Sequence, residues 1–142
     1  MSRYAEFDNS LVTGNHEIDE QHKEWIDKIN KLLRCCEDGG GKVEAVKMLD
    51  YMADYTEFHF EAEEKLQEEA GYPGIEEHKN KHNDFRKAVG ELYEMLNEEE
   101  GPSDAFVKAV EKNVVDWLYN HIKTFDSSVA TYINMTLEPD KI

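Results

Sequence analysis

The stretch EFHFEAEEKLQEEAGYPGIEEHKNKH, residues 57–82, reads as two helical segments joined by a turn. Its centre, 71–74, combines glycine and proline residues that stop a helix and permit a tight reversal of the chain. Polar side chains flank the turn in pairs with a spacing of four residues: His59 with Glu63, and His78 with His82. That spacing places each pair on one face of a helix. The stretch therefore predicts two helices that carry inward-facing polar pairs close to the turn.

Two further clusters, Gly39-Gly40-Gly41 and Gly101-Pro102-Ser103, divide the rest of the chain in the same way. Four segments result, each with apolar residues at spacings of three and four, which is typical of amphipathic helices. Alternation with a period of two, the mark of a strand, is absent from the sequence. The stripes are Trp25, Ile26, Ile29, Leu32, Leu33 and Cys36; Val43, Val46, Leu49, Met52, Thr56 and Leu66; Ile75, Phe85, Val89, Leu92 and Leu96; and Phe106, Val110, Val114, Trp117, Leu118 and Ile122.

Short turns force sequential helices to lie side by side, so the pattern predicts an all-α, antiparallel up-down-up-down four-helix bundle. Asp19 and Ser103 are the expected N-caps of the first and fourth helices. An irregular arm precedes the first helix, and the short extension after Asp126 either lengthens the last helix or forms an extra one. With 142 residues, we expect a single domain over 1–142.

The charge balance excludes some classes of partner. The chain has 32 acidic and 16 basic residues, a formal net charge of −16, so its field repels nucleic acids and anionic membrane surfaces. We find no apolar run that could span a membrane and no secretion signal, and we expect a cytoplasmic protein. The adjacent Cys35 and Cys36 cannot staple distant segments, which fits a reducing compartment. We expect them to pack near a helix end, with a redox role as the alternative.

Five of the six histidines interrupt the apolar stripes. Any one of them alone would be an ordinary buried histidine with a local hydrogen bond. Their positions along the helices, however, place them at the start of the first and third helices and the end of the second and fourth, which in this bundle is the same end. Burying so many polar groups without partners is costly, and metal coordination removes that cost. The predicted ligands are His22, His59, Glu63, His78, His82 and His121.

The number of these ligands favours two ions over one, because a structural zinc site uses only four. Imidazole with some carboxylate suits iron, although zinc, copper and nickel also accept imidazole. Asp126 follows His121 by five residues, which turn an ideal helix by about 500° and leave the two side chains apart. The helix must therefore bulge or loosen if Asp126 is to join. His16 lies outside the stripes, and we expect it at the surface.

Four motifs occur in order along the chain: Ile18-Asp19-Glu20-Gln21-His22, His59-Phe60-Glu61-Ala62-Glu63, His78-Lys79-Asn80-Lys81-His82 and His121-Ile122-Lys123-Thr124-Phe125-Asp126. This order resembles the hemerythrin family, in particular its single-domain bacterial members. The family pattern is a histidine after Ile-Asp-x-Gln, then His-x3-Glu, His-x3-His and His-x4-Asp. The match extends over about 14–126, and it is the main reason to include Asp126 among the ligands.

The resemblance implies a specific centre. His78, His82 and His121 would hold one iron ion and His22 and His59 the other, with Glu63, Asp126 and an oxide or hydroxide as bridges. Two octahedral ions would then keep one open position, where dioxygen binds. Residues that would wall the dioxygen pocket are Phe60, Trp117, Leu118 and Ile122.

The implied function is reversible dioxygen binding for carriage, storage or scavenging, without an enzymatic reaction. The alternatives are a di-iron peroxidase or oxidase, or a module for oxygen or redox sensing or for iron handling. Nothing obvious in the sequence supplies a second substrate site or a dedicated acid and base, which disfavours the enzyme. Ferritin-like carboxylate enzymes are excluded because they use Glu-x-x-His pairs, and no glutamate precedes any of the six histidines by three positions.

Overall fold

The computed structural model describes residues 4–136, which form an antiparallel bundle of four helices. The helices are α1 (His16–Glu37), α2 (Lys42–Ala70), α3 (Ile75–Glu98) and a long α4 over 104–136. Contacts between α1 and α2, α2 and α3, α3 and α4, and α4 and α1 close the bundle. No strand occurs within the described residues. The predicted all-α, up-down-up-down architecture is confirmed.

The fourth helix is continuous but not uniform. Two of its segments are π-helical, with backbone hydrogen bonds that close over five residues instead of four, so each accommodates an extra residue per turn. The loosening predicted between His121 and Asp126 is therefore present, whereas the earlier π segment was not predicted. In order, α4 consists of Asp104–Val110 (α), Glu111–Asp116 (π), Trp117–His121 (α), Ile122–Asp126 (π) and Ser127–Thr136 (α).

The start of α1 differs from the prediction. The N-cap is Asn15, whose side chain accepts a hydrogen bond from the Ile18 backbone N–H at 3.1 Å. Asp19 lies within the first turn, where its carboxylate accepts hydrogen bonds from the Thr13 backbone N–H (2.9 Å) and hydroxyl (2.7 Å). It thus ties the arm to the helix instead of starting the helix. His16 is exposed, as predicted, but it is the first residue of α1 and not part of the arm.

The predicted turns all lie between helices. Gly71 ends α2 in the left-handed region at a φ of 66°, and its N–H donates to the Glu68 carbonyl at 3.2 Å. Only glycine adopts this conformation without strain, which explains its place here. Ser103 is the N-cap of α4, as predicted, and accepts a hydrogen bond from the Phe106 N–H at 3.1 Å. These short connections keep neighbouring helices antiparallel.

The core follows the predicted stripes with one clear exception. Val43, in the first turn of α2, is 80% exposed, and Ala45 is buried in that turn instead. Two residues turn an ideal helix by about 200°, so Val43 and Ala45 lie on nearly opposite faces of α2, and the face of Ala45 is the one that packs into the core. The half of the bundle near Gly39–Gly41 has an apolar interior: Leu32, Leu33, Leu49, Met52, Leu92, Leu96, Phe106 and Val110.

The arm and the C-terminal extension both pack on the bundle. The Ala5 backbone exchanges two hydrogen bonds of 2.8 Å with the Asn30 side chain on α1, and the Glu6 N–H donates to the Tyr119 hydroxyl at 2.8 Å. The last segment of α4 lies against the end of α2, which resolves the two alternatives in favour of a longer last helix. A small apolar cluster lines this contact: Ile18, Ala70, Val129, Ala130 and Ile133.

Cys35 and Cys36 are free, partly buried thiols in the last turns of α1. Burial raises the pKa of both, that of Cys36 to about 11. Protonated thiols are poor nucleophiles, which favours packing over a redox role. Within 4–136, none of the helices combines the length and apolar character needed to cross a membrane.

Candidate metal centre

The structure brings together all seven side chains that the sequence and the resemblance single out. Each is at most 3% exposed. They form two overlapping sets, and within each set one nitrogen or oxygen atom from every member lies within 4.8 Å of the others. The larger set is Glu63, His78, His82, His121 and Asp126, and the smaller is His22, His59, Glu63 and Asp126. Both carboxylates are therefore shared.

Every helix contributes to this layer, and the second π segment of α4 is what brings in Asp126. A helix that closes its hydrogen bonds over five residues places positions five apart on one face. As a result, Asp126 Oδ1 lies 3.2 Å from His121 Nε2, while Oδ2 reaches across the bundle to His22 Nε2 at 2.8 Å. A regular α-helix would separate Asp126 from His121 in angle. The π turn is therefore the local feature that completes the site.

All five imidazoles direct Nε2 toward the two carboxylates. The shortest such distance for each is 2.8 Å for His22, 2.9 Å for His78, 3.2 Å for His82, 3.2 Å for His121 and 4.0 Å for His59. Moreover, the Nε2 atoms of His78 and His121 are 2.8 Å apart. Two nitrogen ligands at right angles about a metal, each bonded at about 2.0–2.1 Å, are separated by about 2.9 Å. The pair thus has the spacing of neighbouring ligands on one ion.

The outer nitrogen atoms of two imidazoles are held by hydrogen-bond acceptors. His59 Nδ1–H donates to Gln21 Oε1, and His82 Nδ1–H donates to Glu64 Oε2, both at 2.7 Å. The facing atoms are an amide oxygen and a carboxylate oxygen, which accept hydrogen bonds, so the proton sits on Nδ1 and the lone pair of Nε2 faces the centre. This is the tautomer that a metal ligand requires.

His78 has a different outer partner. Gln67 lies fully buried on α2, with Nε2 at 2.8 Å from His78 Nδ1 and with Oε1 unpaired among the described residues. The amide N–H therefore donates to Nδ1, which leaves the imidazole proton on Nε2. Rotating the amide by half a turn would place Oε1 opposite Nδ1 instead. In that orientation Gln67 would accept a hydrogen bond from Nδ1–H, the tautomer that a metal ligand requires.

Gln21, Glu64 and Gln67 were not predicted from the sequence. A signal for them was nevertheless present. Gln21 precedes His22 and Glu64 follows Glu63, while Gln67 lies four residues after Glu63 and thus on its inward face. Metal-bound histidines usually donate their second N–H to such a partner, so a search for acceptors near the ligands would have found them.

Unpaired acceptors converge at the middle of the layer. Among the described residues, no hydrogen-bond partner is aligned with Nε2 of His59 or His82, with either oxygen of Glu63, or with Oδ1 of Asp126. Imidazole nitrogen and carboxylate oxygen together suit iron, and also zinc, copper or nickel. Buried acceptors without partners are unfavourable, and one or two cations would satisfy all of them. The residues present therefore fit a metal centre.

The electrostatics keep most of the histidines neutral. Burial lowers the pKa of His59 to about 3, and it also lowers the pKa values of His82 and His121. A neutral imidazole is the form that binds a metal, so little proton release is needed at these three positions.

The two carboxylates respond to the layer in opposite ways. Burial, reinforced by the negative charge of Asp126, raises the pKa of Glu63 well above its usual value. Burial disfavours the charged form of Asp126 too, but His121, His22 and His78 outweigh it and lower the pKa of Asp126. Without a metal, a proton thus compensates the charge of Glu63, and cations entering the layer would displace it.

Aromatic rings cover the larger set. Phe60 stacks on His82 with ring centroids 3.7 Å apart, and Trp117 stacks on His121 at 4.3 Å. Leu118 and Ile122, which neighbour His121 on α4, are fully buried. The four side chains predicted to wall a pocket therefore lie in or beside this layer.

Comparison with known proteins agrees with this geometry. The profile of the Hemerythrin HHE cation binding domain family matches residues 13–133. The bacteriohemerythrin of Stenotrophomonas maltophilia is 33% identical over 129 residues, which cover 91% of this chain and 81% of that protein. The bacteriohemerythrin of Methylococcus capsulatus is 32% identical over 108 residues, 76% of this chain and 79% of that protein. A crystal structure of wild-type hemerythrin superposes with a TM-score of 0.79 at 26% identity, covering 92% of this chain and 98% of that one.

Proposed function

Since the chain belongs to the hemerythrin family, we propose that it holds two iron ions and binds dioxygen reversibly, without transforming a substrate. The observation that carries this proposal is the overlap of the two ligand sets. They share Glu63 and Asp126 and no other member, which is the arrangement expected when two carboxylates bridge a pair of ions. An oxide or hydroxide would be the third bridge.

The two sets are unequal, and this inequality supports a single small-ligand position. His78, His82 and His121 accompany the carboxylates in the larger set, whereas only His22 and His59 do so in the smaller. With shared bridges, the six positions of the ion in the larger set would be filled by these five protein ligands and the oxide or hydroxide. The ion beside His22 and His59 would keep one position open, and we assign dioxygen to that position.

When bound, the reduced iron pair supplies the electrons that dioxygen accepts and returns. The chain's own residues hold, orient and shield that pair. Gln21, Glu64 and Gln67 fix the imidazole rings through Nδ1, which reduces the freedom lost when a metal binds. Phe60, Trp117, Leu118 and Ile122 would exclude water from the pocket, because water would compete with dioxygen and promote irreversible oxidation. Apolar core residues surround the metal centre and would help to keep water out of it.

A reversibility experiment tests the proposal. Metal-free protein is loaded anaerobically with ferrous iron, exposed to oxygen and then evacuated, while the visible spectrum is recorded and the iron per chain is measured. We expect two iron ions per chain and full spectral reversal. The matched control is Asp126→Asn, which keeps the size of the side chain but removes the bridging charge and should lower iron content.

Other outcomes would refute the proposal in distinct ways. A single zinc ion in carefully prepared protein would contradict the iron pair. Irreversible oxidation, or steady consumption of peroxide with a reducing co-substrate, would instead favour the di-iron peroxidase or oxidase.

A further inference from the structure

Trp25 is a buried residue of α1 that belongs neither to the ligand sets nor to the predicted pocket wall. It lies one turn after His22 and is 0% exposed. Its ring centroid is 5.1 Å from that of His59 and 6.3 Å from that of His22, the two histidines of the smaller set. Trp25 thus lies beside the half of the layer to which we assign the open position.

The indole N–H of Trp25 has no hydrogen-bond partner among the described residues. Buried tryptophan usually finds an acceptor for this group, because leaving the donor unpaired sacrifices its hydration without compensation. A buried unpaired donor in a native protein therefore requires an explanation, such as a bound species that accepts its hydrogen bond. Trp25 is held firmly in place, because Phe60 and Phe85 meet it edge to face at 5.5 and 5.4 Å.

The aromatic surroundings of the two sets differ in a way that points to the same conclusion. His82 and His121 are each covered by a parallel ring, with interplanar angles of 6° and 14°. Trp25 is instead tilted by 40° from His59 and by 34° from His22, so it does not cover either imidazole face to face. A small ligand beside these two histidines would therefore lie close to Trp25.

We propose that Trp25 determines ligand specificity, its indole N–H donating a hydrogen bond to a small ligand that carries negative charge or exposed lone pairs beside His22 and His59. This role rests on the proposed function, because the ligand needs the iron pair in order to bind. Such a donor favours anionic acceptors over ligands that accept hydrogen bonds weakly. It would also favour dioxygen once charge has moved onto it.

Azide and nitric oxide are suitable probes, since azide is an anionic acceptor and nitric oxide a weak one. Trp25→Phe removes the donor and keeps an aromatic ring, while the control Phe106→Leu removes a fully buried ring in the apolar half of the bundle but no donor. We expect Trp25→Phe to weaken azide binding to the oxidised protein about tenfold, the loss of one hydrogen bond to a charged group. Nitric oxide affinity of the reduced protein should change less than azide affinity, and Phe106→Leu should change neither by more than about twofold.

A spectroscopic test does not depend on iron. Ultraviolet resonance Raman spectra report indole hydrogen bonding, and the Trp25 contribution is the difference between the unmodified protein and Trp25→Phe. We expect an unbonded N–H in metal-free protein and a bonded one after iron loading and azide addition. If Trp25→Phe folds poorly, benzothienylalanine at position 25 keeps the shape of the side chain with sulfur in place of N–H.

Three results would overturn the role of Trp25. The first is an indole N–H that is already hydrogen-bonded in the metal-free protein. The second is an unchanged azide affinity in Trp25→Phe that is fully loaded with iron. The third is tighter azide binding by Trp25→Phe, which would mean that the indole ring merely obstructs the pocket. Failure of the unmodified protein to load two iron ions would refute the proposed function instead, and the role of Trp25 with it. Iron analysis of every sample distinguishes the two cases.

Discussion

Replacement of Gln67 by leucine should weaken metal binding while leaving the metal-free fold nearly intact. In the metal-bound form, His78 must carry its proton on Nδ1, and Gln67 is the side chain that lies at hydrogen-bond distance, 2.8 Å. Gln67→Leu preserves approximate size but leaves this buried N–H unpaired, at a cost of about 1–3 kcal/mol. Since about 1.4 kcal/mol corresponds to a factor of ten, iron affinity should fall about 10- to 100-fold, the range typical of such outer partners.

The metal-free protein provides the contrast. There, the Gln67 amide donates one hydrogen bond but keeps Oε1 buried without a partner. In Gln67→Leu, loss of the hydrogen bond destabilises the fold, whereas removal of the unpaired buried oxygen stabilises it. The free energy of unfolding should therefore change by less than about 1 kcal/mol. Iron affinity is measured by anaerobic competition with a chelator, and metal-free stability by urea unfolding.

Gln21→Leu is the matched comparison, because Gln21 supports His59 in the same way but is only partly buried. Water can replace its amide, and the loss of iron affinity should therefore be smaller than for Gln67→Leu. Equal iron affinity in Gln67→Leu and the unmodified protein would refute the reasoning. So would a loss of metal-free stability as large as the loss of binding energy, since Gln67 would then act on the fold alone.

Three further predictions concern the ligands, the pH dependence and a helix cap. His82→Ala should lower the iron content and the stability of the iron-loaded protein, because it removes a ligand and the ring that stacks on Phe60. The control His16→Ala, at an exposed position, should retain the full iron content, as measured by elemental analysis. Metal-free protein should lose stability in urea titrations as the pH falls below 6.5, because the depressed pKa of His59, about 3, means that the unfolded chain binds the proton first. The slope is about 1.4 kcal/mol per pH unit for this histidine, and His82 and His121 act in the same direction. The raised pKa of Glu63 partly opposes them above its ordinary value of 4.5. Rising stability toward pH 4 would contradict the assignment. Ser103→Ala should lower the free energy of unfolding by about 1 kcal/mol through loss of the α4 N-cap, with unchanged iron affinity, and an unchanged thermal midpoint would show that the cap is dispensable.

The sequence predicted the helices, and the end of the bundle at which the ligand side chains lie, because both depend on local regularities. Apolar periodicity sets which face is buried, and glycine and proline set where each helix stops. The five-residue spacing from His121 to Asp126 even predicted an irregular helix there, since no regular α-helix could bring both side chains to one site. A π segment occupies that stretch.

Other features depend on the assembled structure and left weaker signals. Asn15 and Asp19 are both good caps, and only the arm's hydrogen bonds to Asp19 decide between them. Val43 and Ala45 are both apolar and lie on nearly opposite faces of α2, and only the packing of the neighbouring helices decides which of the two is buried. The earlier π segment, Glu111–Asp116, has no ligand spacing that would reveal it. Outer partners such as Gln67 leave only a positional signal in the sequence, and the histidine that each one contacts is known only once histidines from different helices face them.

Because polarity is unevenly distributed along the bundle, we expect folding and metal uptake to depend on each other. One half, near Gly39–Gly41, has an apolar interior that holds its helices together whether or not a metal is bound. The opposite half encloses the cluster of buried histidines and carboxylates. Several of their nitrogen and oxygen atoms lack hydrogen-bond partners among the described residues, and cations would supply partners for them. Amide protons in that half should therefore exchange with solvent through partial openings that leave the rest intact. We therefore expect metal binding to be the last step of folding, with the apolar half as the scaffold on which it takes place.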